Sequence, residues 1–507
     1  MILYFFEKIL YEFKHRPFSF VVLVGASFLL FINTFENGWT YDDFPVIVQS
    51  PDVRSWAGFL NDSYPGRPFR ELTYLVDYAL FGYKPFGWHF QQIFWHALNG
   101  WLVFRLTKSL KLPSFVSWMS ALLFLYHPLQ VEVVANISHR KDSLALAGIL
   151  GALLVYNKVF SVHGAKRIAL LVVSAIFFVL ACFAKQTAVV TPLILFSYEI
   201  AFVPQPERII ARSPKIIGAI VSFFFIIGLV WFFVFGGYQN YMAAMPNILI
   251  TKANYLGEPS LPVYIPTLLK AWGFMILKIF YPVGLAPEYI FPVTAEVFDL
   301  NLLVGVVLIV MTGAASFFFW HRWSCGFFLL AASVFLFLPT SNIWPVAYLA
   351  ADRYLYAPMV FISILFSVGI CKILPKPELR YPTVLMILVC LSMLTWNQNS
   401  VWASPETLWE HAYTVNPDSA FVLNNMGNLA LLDGNNEKAG DFYWRSIEIN
   451  PTNPTAYYNL GMIAEKNWNL KQALSHYREF ARINHPQFQK ELKNLRSRLR
   501  KQYGIDL

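Results

Sequence analysis

Long apolar runs recur along most of the chain, and short segments between them carry the charged residues. A helix of about 20 apolar residues crosses a bilayer, and the runs approach or reach that length. The pattern predicts an all-α membrane region of about eleven spanning helices, at residues 18–34, 89–108, 113–135, 142–158, 168–184, 187–203, 216–236, 300–320, 323–339, 354–372 and 381–397.

Lys and Arg gather in alternate loops of this predicted region. Cytoplasmic loops of membrane proteins are enriched in these residues, so the amino terminus is predicted to be cytoplasmic. The loops around Asp42 and Arg140, and everything after residue 397, are then extracytoplasmic. The basic clusters that set this orientation lie at residues 8–16, 105–111, 158–167, 208–215 and 372–380, with Arg322 alone in its loop.

One apolar segment, residues 267–285, carries Lys270 and Lys278. If it crossed the bilayer, the later basic clusters would fall outside. We therefore predict a re-entrant or interfacial amphipathic helix, which satisfies its own backbone hydrogen bonds without adding a span.

The overall composition agrees with a membrane protein. Of 507 residues, 57% are hydrophobic and 14% charged, whereas soluble domains carry about 25% charged residues. The net charge of +9 follows from basic cytoplasmic loops and does not indicate a nucleic-acid partner. All four cysteines lie in apolar segments, so no extracellular disulfide framework is indicated.

The chain becomes polar after residue 397, which divides it into a membrane domain at 1–397 and a tail at 398–507. Residue types in the tail repeat every 34 positions, the period of tetratricopeptide repeats. These repeats pair helices into a short α-solenoid. The matching pairs are Pro417 and Pro451, Gly427 and Gly461, Ala439 and Ala473, and Tyr443 and Tyr477.

The concave face of such a solenoid commonly holds a peptide. We expect Asn424, Asn428 and Asn459 to lie there and to bind an acceptor. The alternative is that so short an array serves as a lid or a dimer contact.

Ionisable residues collect at the predicted extracytoplasmic ends of the spans. Charged groups at membrane depth are costly and usually mark a functional site, and grouping on one side favours an enzyme with a lipid-embedded substrate over a transporter. The candidates are Asp42, Asp43, Arg67, Arg70, His89, His96, His127, Glu132, His139, Arg140, Lys141, Asp142, Lys185, Asp352 and Arg353.

Several of these residues have other interpretations. Asp42 and Asp43 could be solvated loop acids or ligands of a divalent cation. Arg140 and Lys141 could be interfacial anchors, and Arg353 could form a structural ion pair. A zinc site is a further alternative, and its ligands would be His89, His127 and His139.

Six stretches carry a resemblance that covers nearly the whole chain: "YDDFPVI", "RPFRELTYLVDYALFGYKPFGWHFQQIFWHALNGWLVFRL", "YHPLQVEVVANISHRKDSLA", "FAKQTAVVTP", "SNIWPVAYLAADRYLYAP" and the repeat tail. In this order they resemble the transmembrane and tetratricopeptide-repeat O-mannosyltransferases (TMTC proteins) of the GT-C glycosyltransferase superfamily. Gln186, Asp352 and the run His139-Arg140-Lys141-Asp142 depart from the family pattern, and the repeat array is shorter than in its animal members.

The resemblance implies an inverting transferase that moves a sugar from a polyprenyl-phosphate donor to a Ser or Thr hydroxyl of an extracytoplasmic protein. By the family pattern Asp42 is the base, with Asp43 the alternative. No cofactor is implied beyond a divalent cation, for which Asp42 and Asp43 are the candidate ligands. The expected donor-phosphate residues are Arg140, Lys185 and Arg353, supported by Arg67, His89, Glu132, Asp142 and Asp352.

Two other functions fit the sequence. The same chemistry could act on a glycan or a lipid, or the chain could be a non-catalytic membrane scaffold that presents its repeats. The compact tail and the absence of cysteines outside the apolar segments favour a bacterial inner membrane with periplasmic repeats, and the endoplasmic reticulum membrane is the alternative.

Overall fold

The computed structural model describes residues 17–50, 53–62, 67–210, 261–291, 299–343, 346, 348–485 and 488–507. These residues form helices and short turns with no strand among them, which confirms the all-α fold. The predicted span at 216–236 lies outside the described residues, as does the first basic cluster.

The membrane region is a succession of helices joined by short turns. Their bounds are α1 Pro17–Leu30, α2 Trp56–Asp62, α3 Pro68–Phe81, α4 Pro85–Ser109, α5 Ser114–Tyr126, α6 Val131–Ala135, α7 Arg140–Val159, α8 Ala165–Ala184, α9 Thr191–Phe202, α10 Leu261–Phe280, α11 Leu300–Arg322, α12 Ser324–Phe337, α13 Pro358–Ile373 and α14 Pro377–Val401.

Fewer helices are long enough to span a membrane than the apolar pattern suggested. By length and composition, the described part of the chain contains four: Ile137–Val159, Ala165–Ala184, Leu300–Trp320 and Pro377–Val401. Several other predicted spans are shorter helices, because polar or proline-containing turns interrupt the apolar runs. The run at 113–135, for example, stops being α-helical after Tyr126, and His127 and Pro128 open a short 3-10 turn.

Three of the four long helices present apolar side chains outward. Ile168 on α8, Val310 on α11 and Met386 on α14 are exposed, as expected where helices face lipid. The fourth, α7, is mostly enclosed by protein. It packs closely on α8, because a Cβ atom at Gly148 would lie only 2.7 Å from the Cβ of Ala181, and small residues allow such close approach.

The segment predicted to be amphipathic is α10. Its Lys270 pairs with Asp299 at 3.2 Å, and its Lys278 ammonium donates to the carbonyls of Val283 and Gly284. Both lysine charges in this apolar helix therefore have partners. The helix is not among the four long spans, and its re-entrant or interfacial placement stays a prediction.

The tail is an array of paired helices, as its 34-residue period predicts. A Cβ atom at Gly427 would lie 2.5 Å from the Tyr443 ring, and one at Gly461 would lie 2.3 Å from the Tyr477 ring. Each repeat therefore packs a tyrosine of its second helix against a glycine of its first. The helices are α15 Pro405–Val415, α16 Ala420–Leu432, α17 Asn436–Ile449, α18 Pro454–Lys466, α19 Leu470–Ile483 and α20 Gln489–Tyr503.

The last helix, α20, caps the array. Its Leu492, Leu495 and Leu499 are buried against the preceding repeat. On the same side, the Arg498 guanidinium lies 2.6 Å from the Glu465 carboxylate.

The tail also packs directly on the membrane region. The boundary predicted at 397/398 falls inside α14, which continues to Val401. Beyond it, Trp402 and Trp409 share one apolar cluster with Phe31 and Val131. The first repeat helices therefore lie beside the loop that follows α1, where Asp42 and Asp43 are found.

Candidate active site

The loop after α1 turns sharply at the two aspartates. Tyr41 has a φ of +50°, the left-handed region that few bulky residues adopt. The Asp43 amide then donates to the Thr40 carbonyl at 2.9 Å, and a single turn of π-helix follows at Phe44–Val48. This geometry directs the side chains of Asp42 and Asp43 into different surroundings.

Asp43 is fully buried and held by the backbone. Its Oδ1 accepts from the Ser138 amide at 2.7 Å and its Oδ2 from the Thr40 amide at 3.2 Å. Burial raises the pKa of the Asp43 carboxyl to about 7, although the hydrogen bonds from Ser138 and Thr40 act to lower it. Asp43 thus anchors its loop to the turn before α7.

Asp42 remains accessible, with 44% of its side chain exposed. Its carboxylate lies 4.0 Å from Nε2 of the buried His139. The other ring nitrogen of His139 lies 3.3 Å from the Glu132 carbonyl oxygen. Of the two adjacent acids, only Asp42 offers a carboxylate to a molecule arriving from outside.

Arg353 is joined to Glu132. The Glu132 carboxylate accepts from the Arg353 backbone amide at 2.8 Å and forms an ion pair with its guanidinium. The neighbouring Asp352 instead accepts from the Tyr289 hydroxyl at 2.6 Å. The ion pair suggested for Arg353 therefore exists, but its carboxylate partner is distant in the sequence.

Lys185 and Asp142 form a second ion pair close to this site. Lys185 follows the end of α8, and its ammonium contacts Asp142 Oδ1. The second carboxylate oxygen, Asp142 Oδ2, is buried and makes no hydrogen bond to any described residue. The Lys185 ammonium is thus held by one oxygen of the Asp142 carboxylate, and the other oxygen accepts no hydrogen bond from a described residue.

Arg140, the third predicted phosphate residue, has a different environment. It is fully buried, and its guanidinium pairs with Asp77 and donates to the Trp88 carbonyl at 3.0 Å and to Gln92 Oε1 at 3.1 Å. The Tyr74 ring lies 5.0 Å from the guanidinium carbon. A guanidinium enclosed in this way supports the fold, so the geometry does not favour the phosphate role predicted for Arg140.

The next residue, Lys141, was a candidate in the sequence but was not assigned to the donor phosphate. It is only 8% exposed, yet no hydrogen bond or ion pair joins it to another described residue. Its ammonium interacts electrostatically with Arg67, Arg70, Asp42 and Asp142. The sequence does indicate that the two side chains differ in direction. Successive residues of a helix point about 100° apart, so Arg140 and Lys141 lie on different faces of α7.

The predicted histidines do not form a metal site. His127 Nε2 lies 2.9 Å from the Ile279 carbonyl oxygen, and His139 faces Glu132. The buried His89 lies near the backbone of Asn37 and Gly38. Across the described ranges, no group of three His, Cys, Asp or Glu side chains could hold a metal ion.

The three predicted acceptor-binding asparagines lie on the first helices of the repeats. Asn459 donates to Asn428 Oδ1 at 2.9 Å, and the Tyr443 hydroxyl donates to the same oxygen at 2.8 Å. Asn428 and Asn459 therefore stabilise the repeat stack itself. The side-chain oxygen of Asn424 is buried without a hydrogen-bond partner among the described residues.

Comparisons with known proteins agree with the resemblance found in the sequence. The tetratricopeptide repeat family TPR_17 matches residues 442–475. The human Protein O-mannosyl-transferase TMTC1 is 26% identical over 87% of this chain and 56% of its own length. Human TMTC3 is 23% identical over 90% of the chain and 54% of its own length.

A more distant animal relative, Protein O-mannosyl-transferase F38B6.6 of Caenorhabditis elegans, is 22% identical over 86% of the chain and 63% of its own length. The chain therefore spans about half the length of the first two relatives. No solved structure matches it. The similarity to the TMTC O-mannosyl-transferases is thus confirmed, and with the apolar helices it indicates an integral membrane protein.

Proposed function

We propose that the chain is a membrane glycosyltransferase of the GT-C type that moves a sugar, with inversion, from a polyprenyl-phosphate donor to a Ser or Thr hydroxyl of an extracytoplasmic protein. The relatives named protein O-mannosyl-transferases support a sugar-transfer reaction on protein and make mannose the first sugar to test. Residues 1–397 would carry the chemistry and residues 398–507 would receive the acceptor.

The observation that carries the proposal is the contrast between the two aspartates. Asp43 is enclosed and bonded to backbone amides, whereas the Asp42 carboxylate is exposed beside His139. A general base must reach the proton that it removes. Asp42 is therefore the proposed base, and Asp43 holds the loop that presents it.

The donor phosphate needs cations, because negative charge grows on it as the sugar departs. Lys185 and Arg353 each lie beside a carboxylate; the Lys185 side chain is 14% exposed, whereas that of Arg353 is almost entirely buried. Lys141 adds a cation that no described carboxylate pairs, and we include it in the phosphate site in place of Arg140. The Lys141 ammonium interacts repulsively with Arg67 and Arg70 and attractively with Asp142 and Asp42, so it belongs to the cluster of charges around the proposed base.

In the proposed reaction, the oxygen of the acceptor hydroxyl attacks the anomeric carbon while Asp42 takes the proton of that hydroxyl. The bond from that carbon to the phosphate oxygen breaks, and its electron pair leaves with the polyprenyl phosphate. The product is a glycoside of opposite anomeric configuration, and the protonated Asp42 later releases its proton to water. The leaving group is already a phosphate, so the step requires no general acid.

The site would face the periplasm of a bacterial inner membrane or the lumen of the endoplasmic reticulum. A reporter fused after residue 400 tests the side. We expect it to be active only outside the cytoplasm, because the basic clusters lie in the opposite loops. Reporter activity confined to the cytoplasm would contradict the proposed orientation.

The reaction is tested with the full chain in lipid nanodiscs, polyprenyl-phosphate mannose as donor and a library of Ser- and Thr-containing peptides. We expect a glycopeptide whose anomeric configuration, read by NMR, is opposite to that of the donor. The matched control for Asp42→Asn in this assay is Asp433→Asn, which changes an exposed acid of the tail. Sugar transferred only to added lipid or glycan, or retained configuration, would contradict the proposal.

A further inference from the structure

Tyr41, the residue directly before the proposed base, has an unfavourable backbone conformation. Its φ of +50° is strained for a bulky residue and persists only where the surrounding structure holds it. The position of the Asp42 carboxylate depends on this turn. Whatever holds Tyr41 therefore also positions Asp42.

The repeat domain supplies those contacts. The Tyr41 ring lies 6.3 Å from Trp402, 5.7 Å from Trp409 and 6.2 Å from Phe421, measured between ring centroids. Trp409 and Phe421 are themselves packed at 5.4 Å. All three aromatic residues follow α14, on the first helices of the tail or directly before them. A backbone hydrogen bond from Gly38 to the Ala403 carbonyl, 2.9 Å long, ties the same loop to the same segment.

The contact continues to the proposed phosphate site. The hydroxyl groups of Tyr41 and Tyr348 lie 2.8 Å apart and share a hydrogen bond. The Tyr348 ring is 6.3 Å from Phe421 and 4.9 Å from the guanidinium carbon of Arg353. One aromatic cluster therefore touches the residue before the base and a proposed phosphate-binding cation.

We infer that the first repeat helices are part of the catalytic apparatus: through Tyr41 and Phe421 they hold the loop that positions Asp42. Tyr41 is a positioning residue in this arrangement. The inference rests on the proposed role of Asp42, and it goes beyond acceptor binding by the tail. Displacement of a reacting group by about 1 Å can lower a rate about 100-fold, so loosening the cluster should slow the chemical step itself.

The test uses donor hydrolysis by water, a reaction without protein acceptor, in the full-length protein. Phe421→Ala should lower kcat about tenfold and leave the donor KM within about twofold, because the base is misplaced while Arg353 stays bonded to Glu132. Phe421→Leu, which refills part of the volume, should recover most of the rate. Tyr41→Gly accepts the left-handed turn but lacks the ring, and should resemble Phe421→Ala. The matched control, Trp468→Ala, removes an aromatic side chain that is 93% exposed on a distant repeat turn.

A second measurement does not depend on activity. Hydrogen exchange of the amides of Gly38, Asp43 and Gln49 should accelerate at least about threefold in Phe421→Ala and stay unchanged in Trp468→Ala, since local protection reports local stability. Unchanged exchange and hydrolysis, with only the acceptor KM raised, would overturn the inference. If the wild-type chain transfers no sugar, the proposed function fails. The exchange result then decides by itself whether Phe421 of the repeats holds the loop that carries Asp42.

Discussion

Glu132 and Arg353 are 221 residues apart, yet the Glu132 carboxylate accepts hydrogen bonds from both the backbone amide and the guanidinium of Arg353. Both side chains are almost entirely buried. The pair joins α6 to the segment before α13. Because removing one member of a buried pair leaves an uncompensated charge, this contact supports two sides of the proposed site together.

Glu132→Gln should therefore destabilise the protein markedly. The change keeps the shape of the side chain but leaves the Arg353 charge without its partner, a cost of about 3–5 kcal/mol. We expect a clear fall in Tm, measured by thermal unfolding in a fixed detergent. Glu437→Gln, at an exposed position on the repeats, is the control, and equal Tm values for the two variants would contradict the role of the pair.

Lys141 should behave in the opposite way. A buried cation without an ion-pair partner opposes folding, so Lys141→Met should leave Tm unchanged or raise it. The same change should raise the donor KM about tenfold, since a hydrogen bond to a charged group contributes about 1.5–3 kcal/mol.

Arg140→Met is the matched comparison for Lys141→Met. It removes one member of the buried pair with Asp77, so it should lower Tm. The measurements are Tm and donor KM for both variants. A donor KM unaffected by Lys141→Met would remove Lys141 from the phosphate site.

Asp43 gives the stability a pH dependence with a defined sign. Burial raises its pKa from 3.8 to about 7, so between these values the unfolded chain releases a proton that the folded chain retains. Stability therefore falls as pH rises from about 4 to about 7 and is level above that range. Asp43→Asn should remove this slope in a series of Tm measurements against pH. The exposed Asp418→Asn should keep it, and an identical slope in Asp43→Asn and the wild type would contradict the assignment.

Asn424 is the best test of acceptor binding by the repeats. Its side-chain oxygen is buried and accepts no hydrogen bond from any described residue, so Asn424→Ala removes no described hydrogen bond of that oxygen. We expect the apparent KM for a protein acceptor to rise several-fold while donor hydrolysis is unchanged, because the acceptor takes no part in hydrolysis. Asn494→Ala, on the exposed face of α20, is the control. An unchanged acceptor KM in Asn424→Ala would place acceptor binding elsewhere.

The repeat tail could be predicted in detail because its contacts are local. Gly427 meets Tyr443 only 16 positions later, and the same contact returns with the sequence period. Among the described residues, fewer helices reach spanning length than the apolar pattern predicted, because hydropathy alone does not show where a helix ends. A single turn such as His127-Pro128 interrupts an apolar run without changing its average.

The site was predicted as a set of residues but not as an arrangement. Sequence placed Asp42, Lys185 and Arg353 on one side of the membrane, but it could not distinguish Arg140 from Lys141. That distinction depends on Asp77, which lies 63 positions before Arg140 and forms an ion pair with its guanidinium. Likewise, no periodicity shows that Phe421 of the tail reaches the loop of the proposed base.

The most direct test of the account is sugar transfer by Asp42→Asn and Asp43→Asn, measured side by side in the full-length protein with Tm recorded for each. Asp42→Asn keeps the size of the side chain but cannot take the hydroxyl proton, so we predict transfer reduced about 100-fold or more at an unchanged Tm. Asp43→Asn should lower Tm through the loss of a buried hydrogen bond to the backbone. Full transfer by Asp42→Asn would contradict the account.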